Sequence, residues 1–193
     1  MAVPGVHEEL GTGPGAFALA VQDVRDGWAR RAVWWTLSVG DVRRRYRRSL
    51  LGPTWITVQM AVFVAGIGVL YAALFGQSLS EYLPFVAVGF LVWILMSGMV
   101  VESPQAFAAH AGVIRSAPLP LSTFCYRLVA VHAWYFVHNA VPVALLLIAL
   151  RVLPVPQSVV LVPVGFIVVG LNGFLLACWL GPLGARFRDI GPL

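Results

Sequence analysis

The sequence predicts an all-α, polytopic membrane protein, a bundle of transmembrane helices preceded by an amphipathic helix at the membrane surface. The 193 residues are 60% hydrophobic and only 11% charged, and their mean hydropathy is +0.86, far more apolar than an ordinary soluble domain. Four uncharged runs are each long enough to cross a hydrocarbon core of about 30 Å. A cluster of five arginines directly precedes the first run, as is typical of a cytoplasmic membrane border.

The region before the first span divides into two parts. Residues 1–15 are rich in Gly and Pro and lack the apolar core of a cleavable signal peptide, so we expect a disordered cytoplasmic tail. Residues 16–54 are expected to form cytoplasmic and interface helices. The first of these, 16–35, mixes charged and apolar residues in the manner of an amphipathic helix. Trp28, Trp34 and Trp35 suit a membrane interface, and packing in a soluble layer is the alternative.

The stretch 41–55, DVRRRYRRSLLGPTW, leads into the first span. Ser38 and Asp41 resemble a capping box and predict a helix start near Val39. Apolar residues in 39–51 recur at spacings of three and four with arginines around them, which favours a helix lying in the interface. The predicted interface helix and its hinge comprise Arg43, Arg44, Arg45, Tyr46, Arg47, Arg48, Gly52, Pro53 and Trp55. Alternatively, the arginines only orient the first span in the membrane and do not form an interface helix.

The transmembrane domain is predicted over residues 55–193. Its four spans are expected at about 56–75, 83–101, 128–150 and 159–180. A polar turn is expected at 76–82, and the connection 102–127 has room for one short helix at 105–114. With the arginine cluster inside, twelve of the thirteen arginines are cytoplasmic and only Arg151 is external. The sequence therefore predicts a multi-pass protein of the cytoplasmic membrane with its N-terminus in the cytoplasm.

Polar and aromatic side chains occur within the predicted spans. His132, Tyr135 and Asn139 are separated by three and four residues, which places them on one face of the third span. Intramembrane polar groups face either a partner helix or an aqueous path, so interhelical hydrogen bonding and channel lining both remain open. Trp93 is a further candidate for channel lining, and a position in the aromatic belt is its alternative.

The sequence contains no motif for catalysis. It has no lysine and therefore no phosphate loop of the GxxxxGK[ST] kind, so any nucleotide hydrolysis is expected in a partner. Glu81, Glu102 and Asp189 lie in different connections and do not suggest a paired-carboxylate site. Cys125 and Cys178 lack metal-ligand spacing and are expected to be packing residues. We therefore predict a protein that is not an enzyme and holds no cofactor or metal.

Three segments resemble the permease subunit of type-2 ABC exporters of polysaccharides, the family that exports O-antigen, teichoic acid and galactan. Residues 45–55 (RYRRSLLGPTW) are similar to its interface helix, 110–127 (HAGVIRSAPLPLSTFCYR) to its cytoplasmic loop between spans two and three, and 186–193 (RFRDIGPL) to its motif after span four. Among these exporters, the three segments are most similar in sequence to the galactan exporters. The resemblance implies ATPase-facing loops that contain His110, Gly112, Ile114, Arg115, Arg186, Arg188 and Asp189.

The resemblance implies a permease that forms a homodimer, or pairs with a like subunit, around a channel for a lipid-linked polysaccharide. A separate cytoplasmic ATPase would use ATP and Mg to drive export, and membrane lipids but no nucleic acid are the other expected partners. Family members have six spans, so we expect either a fragment or a functional short form. We expect Arg115 to contact the ATPase, with Glu102 as its alternative ion-pair partner. The alternative function is a non-transporting assembly or carrier-lipid-binding subunit.

Overall fold

The computed structural model describes residues 15–45, 54–152 and 156–187. These residues form eight helices and no strand. The helices are α1 (Ala16–Ala29), α2 (Arg31–Arg45), α3 (Thr54–Phe75), α4 (Leu79–Glu102), α5 (Gln105–Ala108), α6 (Ala111–Ser116), α7 (Ser122–Ala149) and α8 (Pro156–Arg186). Four of them, α3, α4, α7 and α8, are long and apolar enough to cross a membrane. The prediction of an all-helical protein with four such helices is therefore confirmed for the described residues.

Helix α7 packs against each of the other three long helices. Helix α4 runs antiparallel to it, since Glu102 at the end of α4 lies near His132 whereas Ala87 shares a core with Val143 further along α7. Helix α3 runs parallel to the second half of α7, and the Thr57 hydroxyl donates a hydrogen bond of 3.0 Å to the carbonyl oxygen of His138. The second half of α7 therefore packs against both α3 and α4, which also contact each other.

Helix α8 lies antiparallel to α7 on another side. The rings of Tyr126 and Phe174 are 4.5 Å apart, and those of Phe136 and Phe166 are 5.2 Å apart. The free thiols of Cys125 and Cys178 lie at the same contact, with their sulfurs 3.3 Å apart. The apolar core at this end of the bundle comprises Leu95, Met99, Ala106, Phe107, Phe124, Cys125, Leu128, Phe174 and Ala177.

Many large apolar side chains on the outer faces of the long helices are exposed, as expected for helices that contact lipid rather than water. Examples, with more than half of the residue surface exposed, are Val62, Leu70, Leu74, Phe85, Leu145, Ile148, Val160, Ile167, Leu171 and Trp179. A soluble monomer does not expose contiguous apolar surface on this scale.

Helices α1 and α2 pack along the first half of α7. The Asp23 carboxylate accepts hydrogen bonds from the backbone N–H groups of Leu121 (3.0 Å) and Ser122 (2.8 Å), so α1 caps the N-terminus of α7. The ring of Trp34 stacks on Tyr126 with centroids 5.9 Å apart. The single helix predicted at 16–35 is wrong, because the chain turns at Arg30 between α1 and α2.

The predicted helix start near Val39 is also wrong, because α2 is continuous from Arg31 to Arg45. Ser38 is fully buried within it, and its hydroxyl donates to the carbonyl oxygen of Trp35 at 2.8 Å. Asp41 forms ion pairs with Arg44 and Arg127 instead of capping a helix. Packing of α2 against α7 thus outweighs the local capping signal. Residues 46–53 lie outside the described part of the chain, so the predicted hinge stays a prediction.

Three further boundaries differ from the predictions. Helix α4 begins at Leu79, so the turn predicted at 76–82 is shorter, and Glu81 lies in the first helical turn where a negative charge is favourable. Helix α7 begins at Ser122 rather than near 128, because a residue distant in sequence, Asp23, satisfies its first N–H groups. The helix predicted at 105–114 is divided into α5 and α6 around His110.

Candidate functional site

A polar cluster forms where the end of α2, the end of α4 and the middle of α7 meet. Helix α2 contributes Arg45, α4 contributes Glu102, and α7 contributes the stripe predicted from its spacing, His132, Tyr135 and Asn139. Because α7 is helical throughout this stretch, the three side chains lie on one face as expected. The cluster therefore joins residues that are up to 94 positions apart in the sequence.

Arg45 connects the cluster. Its Nη1 donates hydrogen bonds to Glu102 Oε1 at 3.1 Å and to the Tyr135 hydroxyl at 3.0 Å, and its guanidinium carbon lies 5.5 Å from the centre of the Tyr135 ring. Burial by itself would lower the pKa of Arg45, but the hydrogen bonds to Tyr135 and Glu102 raise that pKa above its usual value. The guanidinium therefore remains a fixed positive charge beside the carboxylate.

His132 lies against α4. Its Nε2 is 3.3 Å from Glu102 Oε2, and its ring meets that of Tyr135 edge to face with centroids 5.6 Å apart. A Cβ atom at Gly98 would lie only 2.6 Å from His132 Cε1, so the glycine permits the close approach of the imidazole to the helix backbone. His132 is consequently held in one position and is only 3% exposed.

Among the buried polar atoms of this cluster, Asn139 Oδ1 has no hydrogen-bond partner in the described residues, whereas His132 Nε2 lies against the Glu102 carboxylate at 3.3 Å. Leaving such groups unpaired in an apolar interior costs free energy. Both residues line a cavity of about 360 Å³ whose other lining residues are Arg45, Ile56, Gln59, Met60, Phe63, Phe90, Ile94, Gly98, Glu102 and Tyr135.

The cavity has two chemically different sides. Arg45, Glu102, His132, Tyr135 and Asn139 form a polar side from α2, α4 and α7. Apart from Gln59, the rest of the lining is apolar and comes from α3 and α4, where the rings of Phe63 and Phe90 stack with centroids 4.2 Å apart. Such a cavity can bind an amphiphilic molecule. No group of three His, Cys, Asp or Glu side chains able to hold a metal ion occurs in the part of the chain that the structure describes.

A second, larger cavity of about 850 Å³ lies between α5, α6 and the C-terminal end of α8. We call it the α5–α6–α8 groove. It is lined by Pro104, Gln105, Phe107, Ala108, Ala109, Ala111, Ile114, Arg115, Leu121, Gly184 and Ala185. Two of the residues that the resemblance assigns to ATPase-facing loops, Ile114 and Arg115, therefore line the groove. Two more, Gly112 and Arg186, are exposed and directly adjacent in sequence to groove residues.

His110 belongs to a separate charged cluster behind the groove. Its Nε2 lies 3.7 Å from Asp41 Oδ2, and its Nδ1 lies 3.5 Å from Arg127 Nη1. Burial, followed by the nearby Arg127 charge, lowers the pKa of His110 below its usual value, although Asp41 acts in the opposite direction. Helix α2, helix α7 and the α5–α6 connection are therefore joined through ionisable groups.

Several predicted site residues lie elsewhere. Trp93 is 64% exposed on the outer face of α4 and does not line either cavity. Arg43, Arg44 and Trp55 are exposed, and Arg44 pairs with Asp41. Those outside the described residues are Tyr46, Arg47, Arg48, Gly52, Pro53, Arg188 and Asp189.

Sequence reasoning missed the grouping of the polar cluster. Glu102 was expected as an alternative partner for Arg115, but it pairs with Arg45, which precedes it by 57 positions. Gln59 was not singled out, although it lines the same cavity. Its position as a polar residue inside an otherwise apolar run was the available signal.

The described residues form a helical bundle with four helices long and apolar enough to cross a membrane and with a partly charged, amphiphilic cavity. Comparison with known protein families, with curated proteins and with solved structures finds no match.

Proposed function

We propose that this chain is the membrane-spanning permease subunit of an ATP-driven exporter, which moves a lipid-linked polysaccharide or another cell-envelope glycan across the cytoplasmic membrane. ATP hydrolysis takes place in a separate cytoplasmic ATPase subunit, and two copies of the permease, or this chain and a like subunit, enclose the path of the glycan. The chain itself is not an enzyme.

The α5–α6–α8 groove carries this proposal. Residues 110–127 and 186–193, which are far apart in sequence, resemble the ATPase-facing parts of the exporter family. Ile114 and Arg115 of the first segment line the groove together with Gly184 and Ala185, which directly precede the second. Gly184 allows α8 to lie against Pro104, because a Cβ at this position would collide with the backbone of Pro104. A single partner protein can therefore touch both segments at once.

The charge and exposure of the groove also support an acidic protein partner. Arg115 lines the groove and is exposed, and Arg186 is exposed at the last turn of α8. Neither forms an ion pair with a described residue. Exposed arginines beside an apolar depression are typical of protein–protein interfaces.

The test is affinity purification of the tagged chain from the membranes of its host, followed by identification of any co-purified protein that carries a GxxxxGK[ST] phosphate loop. We expect an ABC ATPase whose activity in the same membranes depends on the chain. Arg115→Glu should lower its recovery at least fivefold, whereas Arg151→Glu, a matched charge reversal in the α7–α8 connection, should leave it unchanged. Full recovery of the ATPase with Arg115→Glu would show that the ATPase does not bind at the groove.

Glycan export is the second readout. Cells that depend on the chain should lose surface glycan when it is depleted, while the lipid-linked precursor accumulates inside. If the ATPase co-purifies but depletion leaves export unchanged, the chain is a non-transporting assembly or carrier-lipid-binding subunit.

A further inference from the structure

An open depression of about 200 Å³ lies between α2 and α7. It is lined by Val39, Val42, Arg43, Trp134 and His138. Arg43 follows Val39 by four positions and His138 follows Trp134 by four, so each helix presents one of its faces to the depression. The depression shares no lining residue with the cavity of the polar cluster.

The depression contains hydrogen-bonding groups of both kinds. Arg43 is exposed and forms no ion pair with a described residue, and the buried indole N–H of Trp134 has no acceptor within the described ranges. His138 Nδ1 lies 2.8 Å from the carbonyl oxygen of Trp134. Because a carbonyl oxygen only accepts, Nδ1 carries the proton, and Nε2 of the neutral ring is left as an acceptor. Two donors and one acceptor are thus left for a ligand.

The charge of the depression favours an anionic ligand. Asp41, the one acidic residue of α2, already forms ion pairs with Arg44 and Arg127, so it does not neutralise Arg43. No carboxylate lines the depression, and a cationic group such as choline would meet Arg43 instead. A guanidinium matches the geometry of a phosphate group, to which it donates charge-assisted hydrogen bonds.

The depression lies at the level where two of the long helices end. Helix α3 begins at Thr54, and one turn later the Thr57 hydroxyl bonds to the carbonyl oxygen of His138 at 3.0 Å. Helix α4 ends at Glu102, which pairs with Arg45 at the end of α2. The ends of membrane-crossing helices lie near the lipid headgroups. The phosphate of a lipid headgroup is therefore the anion that reaches this level.

The face of α7 that lines the depression continues away from it as an exposed apolar stripe. Val141, Leu145 and Ile148 follow His138 at spacings of three and four, and 49%, 63% and 73% of their surfaces are exposed. An acyl chain can pack along this stripe while the phosphate of the same molecule contacts Arg43. A soluble phosphate compound would leave the stripe unused, so the arrangement favours a lipid.

We propose that the depression between α2 and α7 binds one anionic glycerophospholipid of the membrane. Its phosphate accepts hydrogen bonds from Arg43 and Trp134, and one acyl chain lies along Val141 and Leu145. A headgroup hydroxyl, as in phosphatidylglycerol, donates to His138 Nε2. This lipid is a bound component of the protein surface and not a transported molecule, so the inference does not rest on the proposed function.

The experiment uses the full chain, purified in detergent and depleted of lipid, with phosphatidylglycerol as the probe. Native mass spectrometry measures the dissociation constant of the first bound lipid. We expect this constant to be about fivefold lower for phosphatidylglycerol than for phosphatidylcholine or phosphatidylethanolamine with the same acyl chains, the effect of one arginine on an anionic headgroup. Equal affinity for the three lipids would overturn the anionic class.

Glycerol phosphate distinguishes a lipid from a soluble phosphate compound. It carries the same phosphate group but has no acyl chain, so a large excess of it should not displace phosphatidylglycerol. Complete displacement would overturn the proposal of a lipid, because it would show that the apolar stripe on α7 does not contribute to binding.

Two variants test the residues of the site. Arg43→Gln removes the charge of an exposed side chain and should weaken phosphatidylglycerol binding about fivefold, whereas Arg43→Lys should retain most of the affinity. Trp134→Phe keeps an aromatic ring but removes the N–H, and it should weaken binding in the same direction. The matched controls are Arg31→Gln, at an exposed position at the start of α2, and Trp179→Phe, on the exposed face of α8. Both controls should bind phosphatidylglycerol like the unmodified chain.

Photolabelling locates the bound acyl chain. Phosphatidylglycerol with a diazirine in its acyl chain, added to phosphatidylcholine nanodiscs, should label Val141 or Leu145 of the unmodified chain more than the outer faces of α3 and α8. Arg43→Gln should abolish this preference for α7. Labelling without such a preference, or labelling that Arg43→Gln leaves unchanged, would overturn the proposal and indicate only the general lipid layer around the bundle.

Thermal unfolding separates lipid binding from a structural role of Arg43. In phosphatidylcholine alone, the unmodified chain and Arg43→Gln should unfold at the same temperature, because Arg43 has no described ion-pair partner to lose. Added phosphatidylglycerol should raise the unfolding temperature of the unmodified chain more than that of the variant. An equal rise would contradict a site at Arg43. None of these results bears on co-purification of the ATPase, which tests the proposed function separately.

Discussion

Ser122 donates two hydrogen bonds to Asp23, one from its backbone and one from its side chain. The Asp23 carboxylate accepts the backbone N–H of Ser122 at 2.8 Å, and the Ser122 hydroxyl donates to the backbone carbonyl of Asp23 at 2.6 Å. Helix α1 thereby provides the cap of a helix that begins almost one hundred residues later. This pair fixes α1 to the bundle, while α2 is held by further contacts with α7 such as those of Trp34 and Asp41.

Asp23→Ala should lower the free energy of unfolding by about 1–2 kcal/mol, the upper part of the range for loss of a helix cap. The measurement is thermal unfolding of the purified chain in detergent, together with protease sensitivity of α1. Asp26→Ala is the matched control, because Asp26 is an exposed carboxylate on the same helix. Similar losses for the two variants would contradict the capping role.

Gly184→Ala should disrupt the contact between α8 and α5. The added Cβ would collide with the Pro104 carbonyl group, and a backbone group cannot move aside as a flexible side chain can. Forced overpacking of this kind costs about 1–3 kcal/mol. Thermal unfolding provides the measurement, and Gly165→Ala, where the same methyl group meets no neighbour within 4 Å, provides the control. Unfolding of both variants at the same temperature would mean that α8 shifts freely against α5.

Acidification should destabilise the chain partly through His110. Since its pKa in the folded protein is lowered, the unfolded chain takes up this proton at a higher pH than the folded chain does. The free energy of unfolding therefore decreases as the pH falls through about 6.5, the usual histidine value. The unfolding temperature should drop between pH 7.5 and 5, and His110→Gln should reduce that drop. His138→Gln, which removes an imidazole from α7 rather than from the α5–α6 connection, is the control. An unchanged drop in His110→Gln would contradict the role of His110.

The arginine distribution predicts which ends of the helices lie in the cytoplasm. Reporter domains inserted after Gln77 should be external, and those inserted after Gly112 should be cytoplasmic. Paired reporters, one active only in the cytoplasm and one only outside, provide the measurement at each position. A cytoplasmic result after Gln77 would reverse the orientation of the whole bundle and place the α5–α6–α8 groove beyond the reach of a cytoplasmic ATPase.

The four long helices could be predicted from sequence because their signal is local. An uncharged run such as 56–75 needs no partner to be recognised, and α3 begins only two residues earlier, at Thr54. The face that holds His132, Tyr135 and Asn139 was likewise predictable, since helical geometry alone relates the three positions.

Contacts between distant segments could not be predicted in the same way. The partner of Glu102 depends on where α2 lies against α7, and no periodicity within α4 contains that information. The Ser38–Asp41 pattern shows the opposite problem, because a valid local signal was present but Asp41 binds Arg127 on another helix. Prediction failed for Glu102 and for Asp41 for the same reason, because each side chain pairs with a residue that is close only in the packed bundle.

Helix α7 has 28 residues and is about 42 Å long, whereas a hydrocarbon core is about 30 Å thick. Its first turn is bound to Asp23, and its middle carries the polar side of the cavity. Because one continuous helix holds both, a rotation of α7 about its own axis would turn His132 and Asn139 away from α4 and strain the attachment of α1 at the same time. One rigid element, α7, therefore carries both the polar side of the cavity and the attachment point of α1.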